Sequence, residues 1–168
     1  EEIESTTKRL EMRDILMQLF KDAKEEEVDK IAYLTLGTLY PAYVGVELGV
    51  AEKLAIRALR VVTGVDESKI EDLLNKVGDL GQVAEDLLSQ KKSQLVLFTQ
   101  PLTVLDVYNK LDKVAKISGE GAIENKVRIL SGLLAQAQPK EAKYIIRLLT
   151  GKMRLGVADM TIIDAVSA

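Results

Sequence analysis

Two short glycine-bearing segments carry most of the chemistry that this 168-residue sequence offers. The first is Ser118-Gly119-Glu120-Gly121, followed closely by Lys126. The second is Thr150-Gly151-Lys152-Met153-Arg154-Leu155-Gly156, with two cations inside it. Glycine lets a backbone approach a ligand closely. The start of a following helix adds amide N–H groups and the positive end of a dipole. With Lys126, Lys152 and Arg154 alongside, such segments suit phosphate. The same glycines also suit helix termination, the commoner use of glycine between helices.

Other chemistry is largely excluded. The chain has no histidine and no cysteine. Ser-His-Asp and Cys-His nucleophiles, His- or Cys-ligated metals and disulfides are therefore ruled out within it. No Gly-x-x-x-x-Gly-Lys-Ser/Thr run occurs, so a P-loop nucleotide site is ruled out too. Carboxylates are plentiful but not grouped for metal or acid–base work. Asp79 reads as a turn and cap residue, and Glu52 and Asp159 stand near helix starts, where a carboxylate suits the dipole. Without tryptophan, and with 4% aromatics, base-stacking platforms are not expected. An enzyme working with lysine and carboxylates alone is what the composition still permits.

The formal net charge of −3 argues mildly against a polyanionic partner, but the charge is unevenly spread. Residues 1–90 hold 11 Lys+Arg against 19 Asp+Glu, a net of −8. Residues 91–168 hold 12 against 7, a net of +5, and both glycine segments lie there. Local potential, not the whole-chain sum, governs encounter with a polyanion. A solvated helix surface explains any single lysine equally well.

The elements that must position these residues are helices. Val104, Val107, Tyr108, Leu111, Val114 and Ala115 form one stripe, as do Ile123, Val127, Leu130 and Leu134, and again Ala142, Ile145, Ile146 and Leu149. Further helices are predicted near 1–20, 26–39, 52–63, 68–77 and 81–90. Thr103 and Pro139 supply start signals, and Gly64, Gly78 and Gly119 stop signals. Residues 94–99 alone read as extended. A chain of this length buries an adequate core without staples. The expectation is an all-α, compact multi-helix single domain over 1–168. No apolar run approaches the roughly 20 residues that span a bilayer, and no signal peptide is visible, so a cytoplasmic place is expected. The missing initiator Met and the helix-like end at Ala168 suggest a fragment of something larger.

The sequence also repeats. Leu48-Gly49-Val50-Ala51-Glu52 recurs as Leu155-Gly156-Val157-Ala158-Asp159, and residues 54–59 align with 161–166. A predicted helix carrying a tyrosine, Tyr33 or Tyr144, precedes each copy. This pattern suggests two pseudo-symmetric helical halves. Two unrelated helix–loop–helix turns that happen to look alike are the alternative.

Several segments, in order along nearly the whole chain, resemble one family. They are Thr6-Thr7-Lys8-Arg9-Leu10, Gly45-Val46-Glu47-Leu48-Gly49-Val50, Lys76-Val77-Gly78-Asp79-Leu80-Gly81 and the helix from Thr103 to Lys116. Ser118 to Gly121, Glu141 to Arg147 and Gly151 to Val157 follow. Together they are similar to the N-terminal DNA-binding domain of archaeal-type ATP-dependent DNA ligases. The resemblance implies an all-helical, two-half domain, acting as a monomer, that grips the phosphates of nicked double-stranded DNA from the minor groove. By matching position it implies DNA contacts from Thr7 and Arg9, from Gly119, Gly121 and Lys126, and from Gly151, Lys152, Arg154 and Gly156. It also implies roles in replication, repair and recombination. The family's AMP-accepting lysine lies in a Lys-x-Asp-Gly motif, which this sequence lacks. No cofactor is therefore expected for this fragment, with ATP and Mg belonging to a full-length ligase.

Gln94-Leu95-Val96-Leu97-Phe98 lies where some archaeal ligases carry a short peptide that docks on the sliding clamp. That resemblance makes Gln94, Leu97 and Phe98 candidate clamp contacts. Packing of the same apolar residues into the core is the alternative. A helical protein-interaction module, docking through this peptide or the acidic first half, is the competing function.

Overall fold

The structure, a computed structural model, describes residues 1–44, 48, 50, 52–92 and 100–167. A 3-10 turn at Ile3–Ser5 leads into α1 (Arg9–Asp22) and α2 (Glu25–Leu36). A second 3-10 turn at Ala42–Val44 precedes α3 (Glu52–Thr63), α4 (Glu67–Val77) and α5 (Leu80–Lys92). The chain ends with α6 (Val104–Lys116), α7 (Ala122–Gln136), α8 (Pro139–Leu149) and α9 (Asp159–Val166). Among the described residues there is no strand, so the all-α expectation holds. The segment 94–99, read as extended from sequence, lies outside the described residues.

The predicted stripes become the core. α3 packs on α7 and α5 on α8, with α4 and α6 alongside. Leu59, Ile70, Leu88, Leu111, Leu130, Leu134, Ile146 and Leu149 are essentially sealed from solvent in one large cluster. Each such side chain contributes about 2 kcal/mol by leaving water. A second, smaller cluster forms where α1 packs on α9: Leu16, Ile162 and Ala165, flanked by Met17, Phe20, Leu36 and Val157. Start signals work as their chemistry requires. Thr103 Oγ1 accepts the Asp106 N–H (3.1 Å) while the Asp106 carboxylate accepts the Thr103 N–H (3.2 Å). Pro139 opens α8, and Glu141 accepts the Gln138 N–H at 2.8 Å.

Two boundaries differ from the sequence expectation. The helix predicted from residue 1 begins only at Arg9. The preceding residues are held by tertiary bonds instead: the Glu4 carboxylate accepts from Arg147 Nη1 and from the Tyr144 hydroxyl, both at 2.7 Å. Gly119 does not cap α6, whose cap is Ile117; it belongs to the following loop.

Arg147, 6% exposed, is the hub that joins these parts. Its Nε and Nη2 donate to Asp79 Oδ2 at 3.0 and 2.6 Å, while Nη1 reaches Glu4. Asp79 also accepts the Gly81 N–H at 2.9 Å, so it caps α5 and holds α8 at once. A Cβ on Gly81 would lie 2.7 Å from both Arg147 Cγ and the Lys143 carbonyl oxygen. Glycine here sets how closely α5 and α8 approach.

Candidate nucleic-acid interface

The loop between α6 and α7 stands free. Gly119 and Gly121 take φ of 86° and 70°, the left-handed region open to glycine, and Gly121 is the N-cap of α7. A Cβ at either position would meet nothing within 4 Å, so backbone shape and not crowding calls for glycine there. Lys126 is half-exposed in the second turn of α7. Glu120, which sits uneasily beside phosphate, is exposed at the loop tip, and Glu124 lies in the first turn of α7.

The loop between α8 and α9 is anchored. Three of its residues are left-handed: Gly151 (φ 67°), Arg154 (56°) and Gly156 (66°). Among the described residues Arg154 is the sole non-glycine with positive φ. Met153 turns inward, and a Cβ on Gly37 at the end of α2 would lie 3.2 Å from its Cγ. A Cβ on Gly156 would lie 3.8 Å from Met12 Cε of α1. A cavity of about 200 Å³ is lined by Thr35 and Gly37 on one side and by this loop on the other. Lys152 and Arg154 remain exposed.

Ion pairs connect these parts. Lys152 Nζ lies 2.9 Å from Glu52 Oε2 at the start of α3. Arg57 of α3 lies 3.9 Å from Glu124 of α7. Arg9 lies 2.5 Å from Asp164 of α9, with its side chain 60% exposed. Thr7 is exposed just ahead of α1. The second loop thus touches α1, α2 and α3, and α3 links it to the first. Gln94, Leu97 and Phe98 lie outside the described residues.

Not every cation in the basic stretch is displayed. Arg147 is buried between two acids, and the Lys143 ammonium lies 3.2 Å from Glu85 with its side chain 14% exposed. Sequence reasoning missed the opposite case, Lys53, Arg57 and Arg60, which share one outward stripe of α3 inside the acidic half. Their i, i+4, i+7 spacing was the available signal. Among the described residues no group of three or more acids is placed to hold a metal ion.

Fold and site together define an all-helical domain that displays cations around two glycine loops. The family described as "DNA ligase N terminus" matches residues 1–167, and the chain belongs to it. It is 52% identical to DNA ligase 2 of Thermofilum pendens, over 100% of this chain and 29% of that protein. It is 53% identical to a DNA ligase of Pyrobaculum calidifontis, over 98% of this chain and 29% of that one. It is 50% identical to DNA ligase 2 of Korarchaeum cryptofilum, over 99% of this chain and 28% of that one. The chain thus spans under a third of the length of the curated relatives it matches.

Proposed function

We propose that this domain holds nicked duplex DNA by its backbone phosphates from the minor groove, without regard to base sequence. It would do so as the DNA-binding part of an ATP-dependent DNA ligase acting in replication and repair. The observation that carries this reading is the pair of exposed glycine loops beside α3: Lys152 of one pairs with Glu52 of α3, and the α7 turn that follows the other faces Arg57 of α3 through Glu124. Membership of the ligase N-terminal family supports it. Phosphate contacts fix position and carry no sequence information, and a basic loop with left-handed glycines suits that task. Sealing needs a lysine that takes up AMP. The Lys-x-Asp-Gly motif for it is missing from this sequence, so ATP, Mg and the chemistry belong to the part of the longer relatives that this chain does not match.

The test is binding of nicked duplex at rising salt. The logarithm of affinity should fall linearly with the logarithm of salt, by about 0.9 per phosphate contact. Lys152→Ala with Arg154→Ala should weaken binding about tenfold on every sequence and make the slope shallower by about 2. No binding at low salt, or binding indifferent to salt, overturns the proposal. A changed sequence preference overturns backbone recognition.

A further inference from the structure

The outward side of α3 is a second concentration of positive charge. Lys53, Arg57 and Arg60 fall within about 60° of arc on a helix of 3.6 residues per turn. The opposite side is the packed one, with Ala55, Ile56, Ala58, Leu59 and Val62 buried. Lys53 and Arg60 are exposed and Arg57 is half-exposed. One glycine loop reaches this helix, and so does the α7 turn that follows the other. Lys152 of one pairs with Glu52, next to Lys53, and Glu124, just past the other, faces Arg57.

We propose that this stripe is a third phosphate-binding element, set between the two loops, and that Glu124 beside Arg57, Glu67 beside Arg60 (3.1 Å) and Glu52 beside the loop's Lys152 are the counter-charges that DNA phosphates displace. The inference rests on the phosphate-holding function above. The Arg57–Glu124 separation of 3.9 Å is long and solvent-exposed, and exposed pairs of this kind hold weakly. A phosphate offers arginine a two-pronged, charge-assisted contact that outcompetes it. Until DNA arrives, the carboxylates hold the cations near their working positions, which lowers the ordering cost of binding. Removing such a carboxylate should therefore strengthen binding. Removing its cation should weaken it.

The experiment uses the 168-residue chain and a nicked duplex, with thermal melts to confirm that each variant is folded. Lys53→Ala with Arg57→Ala should weaken binding about tenfold at low salt and make the salt slope shallower by about 2. Glu124→Gln should tighten binding about threefold. A purely structural role for these residues would not produce opposite signs. If the parent chain does not bind DNA, the phosphate-holding function itself fails. If it binds and loses affinity with Lys152→Ala and Arg154→Ala but not with the α3 pair, the stripe is overturned. If Glu124→Gln weakens binding, the displaced counter-charge is overturned.

Discussion

α3 and α9 begin on the two copies of the same short sequence, yet they face the world differently. α3 lies in the large core and turns Lys53, Arg57 and Arg60 outward. α9 lies on the small cluster with α1 and turns Met160, Ile163 and Val166 outward, each more than half exposed. At one equivalent position the charge is even reversed. Arg57 of α3 answers Glu124, while Asp164 of α9 answers Arg9. Each of the two like segments leads into a helix start, and the residues in which they differ set what each helix presents.

Several measurements would break or sharpen this contrast. The largest effect should come from the cores. Leu59→Ala should cost about 4 kcal/mol and lower the melting temperature of the whole domain. Ile162→Ala, in the smaller cluster, should cost about 2 kcal/mol and expose α9 amides to hydrogen exchange while α3 stays protected. Equal loss of protection in both helices would mean one cooperative unit and remove the distinction. Next comes an exchange of character: Arg57→Asp places the α9 residue on α3, opposite Glu124. DNA affinity should fall about twentyfold, roughly 1.8 kcal/mol, with little change in melting.

Acid should act first on the residues ahead of α1, which Glu4 ties to α8. The Tyr144 hydroxyl and then Arg147 hold the Glu4 carboxyl below its ordinary value of 4.5. Burial pushes the Asp79 carboxyl up, but Arg147 and the N–H groups of Gln82 and Gly81 together outweigh it and leave it below 3.8. Both groups therefore stabilise the fold fully above about pH 4.5, and that contribution disappears as pH falls through their lowered values. The Glu4 part, about 1 kcal/mol, ties the residues ahead of α1 to α8. Hydrogen exchange near pH 3 should open α1 before α3. The smallest effect belongs to Met160→Ser, which should shift stability by no more than about 0.5 kcal/mol and leave DNA binding unchanged.

The helices and the core were legible because burial imposes a 3.6-residue period on apolar residues, and Thr103 and Pro139 marked two of their starts. The glycine loops were legible as loops. The fate of Arg147 was hidden, because its partners Glu4 and Asp79 stand 143 and 68 residues away and only folding brings them together. The same contact anchors the 3-10 turn ahead of α1 to α8. The α3 stripe was hidden for another reason. Summing charge over residues 1–90 buried three cations under nineteen acids. Charge has to be counted per helix face.

Arg154 holds a left-handed backbone that a side chain adopts at a cost of about 1 kcal/mol. Glycine, already present at positions 151 and 156, would relieve that cost. A search for heat-resistant variants would thus be drawn to Arg154→Gly, and it would be selecting against the guanidinium. If this loop holds phosphate as proposed, durability and grip pull in opposite directions in it, and variants ranked by melting temperature alone would be ranked wrongly for use.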